Sequence, residues 1–325
     1  MPEPLLVVED LCVSFRTERG LLRAVDGLSF SVAPGEILSI VGESGSGKSL
    51  SSLAVMGLID DPNAVLSGSI RYKGRELTTL SRAALRRLRG DEIAMIFQDP
   101  MSAMTPVYTI GWQIAEQVRA HTRLTRRQAR ARAIDLLGEM GMPDPRLQVD
   151  RYPHQLSGGM RQRAMIAMAL SCDPSLLIAD EPTTALDVTV QAQILRLIEQ
   201  LRRDHGSSVI FITHDMGVVA EVADRVMVMY AGRVVERGPK PDVFAAPGHP
   251  YTVGLLGSIP PMAGEKPRRL PAIPGAPPSI AARPEGCPFG PRCIHRHDAC
   301  RIDPPLFARG PQDIGCHLVP EGLAA

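Results

Sequence analysis

The run Gly42-Glu43-Ser44-Gly45-Ser46-Gly47-Lys48-Ser49 leaves this chain few architectures. It follows a short apolar stretch, Ile37 to Val41, and precedes a helix-compatible one, Ser49 to Ile59. The pattern is G-x-x-x-x-G-K-[ST], whose glycines let backbone N–H groups close around phosphate oxygens without Cβ clashes. Lys48 is then placed to reach the β- and γ-phosphates, and Ser49 offers a hydroxyl to Mg²⁺. The helix that follows turns its positive end toward the anion. A strand, a glycine turn and a helix in that order imply an α/β fold.

The remaining pattern agrees. Strand-like stretches run from Leu5 to Phe15, Leu28 to Val32, Leu176 to Ala179, Val209 to Thr213 and Val226 to Tyr230. Helical stretches are predicted at Ala131 to Met140, Gly159 to Ser171 and Val190 to Arg203. Buried strands separated by helices call for a parallel sheet with both faces covered. Polar residues follow three of the apolar strands: Gln98 after Ile93–Phe97, Asp180-Glu181 after Leu176–Ala179, and His214 after Val209–Thr213. Ligands bind at the C-terminal edge of such sheets. Asp180 is therefore expected to hold Mg²⁺, and Glu181 to polarise an attacking water as general base. Gln98 can coordinate the metal and sense the γ-phosphate, and His214 can hydrogen-bond it.

Charge and hydropathy narrow the class. Lys and Arg number 36 against 35 Asp and Glu, which argues against a protein that blankets nucleic acid with positive charge. The Arg-rich runs Leu85–Arg89 and Thr125–Arg132, within the stretch 82–132, read as solvated helix faces, because acidic residues balance the chain and no aromatic residues interleave with the runs. The longest apolar run, Ala164 to Leu170, is far short of a membrane span, and the acidic N-terminus lacks the pattern of a signal peptide. The expectation is a chain kept in the cytoplasm and, if it serves a membrane, attached peripherally. Of 29 prolines, 18 lie from Pro239 onward, so a boundary is expected near Gly238. The body, 1–238, should hold the packed core, and 239–325 should form turns around a local staple. Cys287, Cys293, Cys300 and Cys316 lie in that tail; clustered cysteines in a reducing compartment suggest a metal site before disulfides. Their spacing differs from paired C-x2-C zinc ribbons, and four thiolates suit either Zn²⁺ or a [4Fe–4S] cluster. His295, His297 and His317 lie nearby and keep a Cys/His zinc site open.

The sequence Leu156-Ser157-Gly158-Gly159-Met160-Arg161-Gln162, about 20 residues before the Asp-Glu strand, resembles the signature of ABC-type ATPases. The order of the phosphate loop, Gln98, this signature, Asp180-Glu181, Ala185-Leu186-Asp187 and His214 is similar to that family over residues 5 to 238. The resemblance implies an ABC nucleotide-binding domain: a mixed sheet core with an antiparallel β subdomain and a helical subdomain at about 99–160. It implies that Phe15 stacks on adenine. It also implies that two such domains meet head to tail, each ATP lying between one phosphate loop and the partner's Ser157, Gly158 and Gly159, with Asp187 at the seam. Where the family signature ends in Gln, Met160 stands here, one polar side chain fewer. Gln98–Met101 and Pro106–Thr109 are expected to line a groove for a short helix of a membrane partner.

The tail segments His249-Pro250-Tyr251-Thr252 and Gly286-Cys287-Pro288-Phe289-Gly290-Pro291-Arg292-Cys293 resemble the C-terminal extension of oligopeptide/dipeptide importer ATPases of the D type. That resemblance implies an ATPase at the cytoplasmic face of the membrane. Its partners would be a related second ATPase, two transmembrane permease subunits and an extracytoplasmic solute-binding protein, with no nucleic acid. Members of this subfamily carry an iron–sulfur cluster at such cysteines, which favours [4Fe–4S] over zinc in a structural role. Nickel, glutathione or an opine remain alternative cargoes. A soluble DNA-repair ABC ATPase is the rival class, although the spacing from phosphate loop to signature, about 110 residues, leaves no room for its long coiled-coil insertion.

Overall fold

The structure, a computed structural model, describes residues 3–18, 20–184, 187–259 and 272–319; Ala185 and Leu186 of the motifs above lie outside them. The chain divides into two compact units. One comprises Ala33–Glu36 and Thr79–Phe211 with the N-terminal residues up to Leu5; the other comprises Leu6–Val32, Ile37–Thr78 and the chain from Ile212 on.

The second unit opens with β1 (Leu6–Thr17), β2 (Gly20–Val32), β3 (Ile37–Val41), α1 (Lys48–Met56), β4 (Ala64–Tyr72) and β5 (Arg75–Glu76). Four of these strands form an antiparallel sheet in the order β2-β1-β4-β5. Strand β2 is more than twice as long as its sequence predicts. Asp26-Gly27 has the composition of a turn, yet the pairing steps from Leu11↔Leu28 to Val13↔Val25, so the extra residue is absorbed as a bulge. All five residues of β3 are buried, as a central strand covered on both faces requires.

The first unit carries α2 (Arg82–Leu88), β6 (Ile93–Ile96), α3 (Pro100–Ala103), α4 (Ile110–His121), α5 (Arg126–Glu139), α6 (Pro145–Gln148), α7 (Gly158–Ala169), β7 (Leu176–Asp180) and α8 (Val188–His205), followed by β8 (Ser208–Thr213). Strands β6 and β7 run parallel, in register from Ile93↔Leu176 to Ile96↔Ala179. The Arg-rich stretch spans α2, β6, α3 and α4 and ends in α5, which shows the pattern. Ala129, Ala133, Leu136 and Leu137 point inward at helical spacing, while Arg130 forms a fork with Asp150 through two 2.8 Å bonds. That is the solvated, ion-paired face the charge pattern predicts. Helix α4 escapes the sequence reading although Thr109 caps it and Ile110, Ile114 and Val118 recur every fourth residue on its buried side.

The second unit resumes with α9 (Met216–Val222), β9 (Arg225–Tyr230), β10 (Arg233–Pro239), α10 (Lys240–Ala245), α11 (Pro250–Gly257), β11 (Phe307–Arg309) and β12 (Gln312–Ile314). Here β3 pairs parallel with β9, β9 antiparallel with β10, and β10 with β12 near the end of the chain. The shift in proline content at 238 thus falls inside a strand. The tail adds strands to the β10 side, and its Tyr251 and Phe289 join Val41, Val228 and Tyr230 in one apolar cluster.

His249 caps α11: its Nδ1 accepts from the Tyr251 N–H at 3.0 Å, and the residue is 1% exposed. Burial pushes its pKa down to about 3. The neutral ring is the form the fold holds, so His249 contributes stability above its unfolded pKa, near 6.5, that is lost as pH falls toward 3. Replacing it by Asn keeps a cap acceptor without a titrating ring. His249→Asn is expected to flatten the fall in unfolding free energy between those pH values by up to about 1.4 kcal/mol per pH unit, read by urea titration at each pH. An unchanged pH slope would show that His249 is not the group responsible.

Candidate ATP site

The phosphate loop is built by β3 and α1 of the second unit. Gly47 precedes α1 with φ +98°, and Gly45 turns the exposed tip at φ +78°. At Gly42 the constraint is steric: a Cβ there would stand 2.2 Å from the Met229 carbonyl oxygen. Lys48 is buried. Its ammonium donates to the Gly42 carbonyl at 2.6 Å, the Glu43 carbonyl at 2.9 Å and Ser46 Oγ at 3.4 Å. The cation therefore lies along the inside of the loop, where a polyanion needs it. Ser49 stands at the second position of α1, half-buried. The first N–H groups of any helix have no partner within it, so loop and helix together make an anion site that these residues fit.

Two further predicted residues belong to this unit. Phe15, half-exposed on β1, pairs with Leu22 and Ala64. His214 is exposed directly after β8. Its neighbour Asp215 caps α9 by accepting from the Gly217 and Val218 N–H groups.

The other predicted residues gather in the first unit. Strand β7 ends at the buried Asp180. Glu181 follows with φ +46°, a backbone conformation that costs a residue with a Cβ of order 1 kcal/mol and is retained where surrounding contacts enforce it. Those contacts are present: Gln98 Nε2 donates to Glu181 Oε2 at 3.1 Å, and Thr184 Oγ1 donates to the same oxygen at 2.9 Å. The structure thus brings Gln98 and Glu181 together, 83 residues apart in sequence. The signature opens α7: Ser157 is its N-cap, accepting from the Met160 N–H at 3.3 Å, and Ser157 and Gly158 are exposed. Four residues on, the buried Gln162 donates 2.6 Å to the Pro182 carbonyl and ties this helix to the acid turn. The sequence reading misses the contacts of both Gln162 and Thr184: Gln162 acts on a turn 20 residues further along the chain, and Thr184 acts back on Glu181 within one turn whose shape the local sequence does not report. Asp187 caps α8, accepting from Val190 at 2.9 Å.

The four tail cysteines lie in the second unit. Cys287 and Cys316 are buried and Cys293 and Cys300 half-buried, all with free thiols. Burial pushes the Cys316 thiol up to about 11, and the neighbouring Cys287, Cys293 and Cys300 add to the shift. Cys300 Sγ stands 3.5 Å from His297 Nδ1. Among the described residues, no group of three or more His, Cys, Asp or Glu side chains is arranged to hold a metal ion. The expected cluster or zinc is therefore not supported by the arrangement of these side chains.

Comparison with known proteins decides the family. The chain is 51% identical over 316 residues to the dipeptide transport ATP-binding protein DppD of Escherichia coli, covering 96% of each. This chain belongs to the ABC transporter ATPases. The ABC transporter family matches residues 25–184, and the C-terminal region of oligopeptide/dipeptide transporters matches 235–300. A putative peptide import ATP-binding protein of Brucella abortus is 53% identical over 305 residues, 94% of this chain and 92% of that one. Among solved structures, the dimeric ATP-binding cassette MJ0796 with ADP and phosphate bound superposes with a TM-score of 0.65 at 27% identity, covering 72% of this ABC chain and 98% of that one. The α/β cassette architecture expected from the motif order is confirmed by that likeness.

The close approach of Gly42 to the Met229 carbonyl makes this ABC loop intolerant of a methyl group. Gly42→Ala is expected to keep the secondary structure, by circular dichroism, and to weaken ATP binding at least tenfold by calorimetry, because backbone rather than a flexible side chain must move to admit the methyl group. Binding at the parent's affinity would show that the loop does not rely on this close approach.

Proposed function

We propose that this ABC subunit binds ATP with Mg²⁺, hydrolyses it, and energises the import of dipeptides or oligopeptides by a membrane complex in which it is the peripheral, cytoplasmic component. The observation that carries the cargo class is the tail. The phosphate machinery is common to ABC ATPases, whereas the match of 235–300 to oligopeptide/dipeptide transporters is particular to importers of that kind. The names of the E. coli and Brucella relatives point the same way. Among the described residues no helix is long and apolar enough to cross a membrane, so the reading assigns the pore to two permease subunits. A solute-binding protein outside the membrane delivers cargo to them.

The roles follow from each residue's chemistry. Lys48 balances charge on the β- and γ-phosphates, and backbone N–H groups of residues 42–49 orient them. Ser49, Asp180 and Gln98 hold Mg²⁺, which when bound supplies charge neutralisation at the phosphates. Glu181, held by Gln98 and Thr184, accepts a proton from the attacking water, and His214 hydrogen-bonds the γ-phosphate. Phe15 offers a half-exposed ring to adenine. The exposed Ser157 and Gly158, with Gly159, open a helix that suits an anion and serve the ATP of a second, related ATPase subunit across a head-to-tail seam. In the helical subdomain, exposed Met101, Val107, Tyr108 and Trp112, the last two stacked at 3.9 Å, present an apolar surface to a permease helix. Division into an ATPase domain over 1–238 and an extension over 239–325 belongs to the same reading.

Glu181→Gln is expected to retain ATP affinity while phosphate release falls about 10²- to 10⁴-fold and peptide uptake by reconstituted complexes stops. Normal turnover in this variant would remove the general-base assignment, and ATP-driven uptake of nickel, glutathione or an opine in place of peptides would replace the cargo class.

The reading also gives Cys287, Cys293, Cys300 and Cys316 a [4Fe–4S] cluster in preference to zinc. Its support is the likeness of 235–300, which includes Cys287, Cys293 and Cys300, to the C-terminal region of oligopeptide/dipeptide transporters. Protein purified without oxygen is expected to be brown and to contain iron and sulfide in equal amounts. Zinc in colourless protein would favour the alternative, and neither metal would leave the thiols free.

A further inference from the structure

A phosphate cradle works by concentrating positive dipole, and Glu43 places a carboxylate inside the motif, next to the residue whose carbonyl holds Lys48. Left alone, that charge opposes a triphosphate. The tail answers it. Arg292 Nη1 donates to Glu43 Oε2 at 2.6 Å and Nη2 donates to Oε1 at 3.0 Å, a bidentate pair spanning 249 residues of chain. Arg292 is itself locked. Its Nε donates to the Pro274 carbonyl at 2.8 Å, Nη2 to the Gly275 carbonyl at 3.3 Å and Nη1 to Tyr230 Oη at 3.3 Å, and its side chain is 6% exposed. The guanidinium also sits 5.8 Å from the Tyr230 ring centre and 5.9 Å from that of Phe289. The Glu43 backbone is held from the same side, its N–H donating to Tyr251 Oη at 2.8 Å. Side chain and peptide of one loop residue are thus both gripped by the C-terminal extension.

We propose that Arg292 is a positioning residue for ATP: it pins Glu43 and cancels its charge, so that the phosphate loop meets the triphosphate already ordered and without a local negative charge. The proposal rests on the ATP reading above and adds a function for the extension at the nucleotide site. It explains why a guanidinium serves here. A buried ion pair stabilises little by itself, yet loss of one partner leaves the other charge uncompensated. A lysine would supply a point charge but not the fork that fixes the carboxylate's orientation.

The test uses the full chain, with Mg·ATP binding and steady-state turnover measured at low and high salt. Arg292→Gln is expected to weaken ATP binding about tenfold at low salt and less at high salt, with the loss in KM rather than kcat. Adding Glu43→Gln to it removes the exposed carboxylate and is expected to recover affinity to within about threefold of the parent. A generic packing defect in the tail would not be rescued by that second change. Where Arg292→Gln does not fold, Arg292→Lys carries the test, with an expected loss of about threefold. Parental affinity in the folded single variant overturns the proposal, as does a double variant as weak as the single one. A parent chain that fails to bind Mg·ATP would overturn the ATP reading itself and is thereby told apart.

Discussion

A loop that gathers peptide dipoles and a lysine around one point is strained electrostatically until an anion arrives, and something must hold its shape meanwhile. In this chain the restraint comes from three directions. Lys48 turns its ammonium onto the loop's own carbonyls at Gly42 and Glu43. The close approach of Gly42 to the Met229 carbonyl fixes the start of the turn against β9. The C-terminal extension grips Glu43 by side chain and backbone. Each is a direct bond or contact to the loop, and together they favour the ordered cradle over alternatives.

The acid turn of the other unit shows the same economy. Glu181 sits in a left-handed conformation that the chain would not adopt unaided, held by Gln98 and Thr184 and backed by Gln162 from the signature helix. A strained residue after a buried strand, stabilised by partners from several elements, is what a group that must stay aimed requires. The link from Gln162 to the Pro182 carbonyl joins the signature helix and the acid turn, two parts the ATPase reading uses at different ATP molecules.

Several elements were legible because the signal is local. The boundaries of β3 coincide with the apolar run before the glycines, and α8 is bracketed by Asp187 as cap and Gly206 in the left-handed region. Others were not. Strand β2 hides behind an Asp-Gly pair that reads as a turn but folds as a bulge, since only the pairing partner β1 decides which. Helix α4 carries a fair periodic signal that the glycine and tryptophan at its start obscure. The break in proline content near 238 marks a real change in chain style. It falls inside β10, because sheet pairing with β12 depends on hydrogen bonds that composition does not report.

By itself, the sequence determined the chemistry: which residues can cradle phosphate, hold a divalent cation or take a proton, and the order that places this chain among the ABC ATPases. Those properties reside in side-chain type and short spacing. Tertiary structure alone decided which distant residues support them. Gln98 meets Glu181 across 83 residues, and Arg292 meets Glu43 across 249. Such pairings are set by how strands are ordered in the sheets and where the tail is laid down, and neither is encoded within any window short enough to read as a motif.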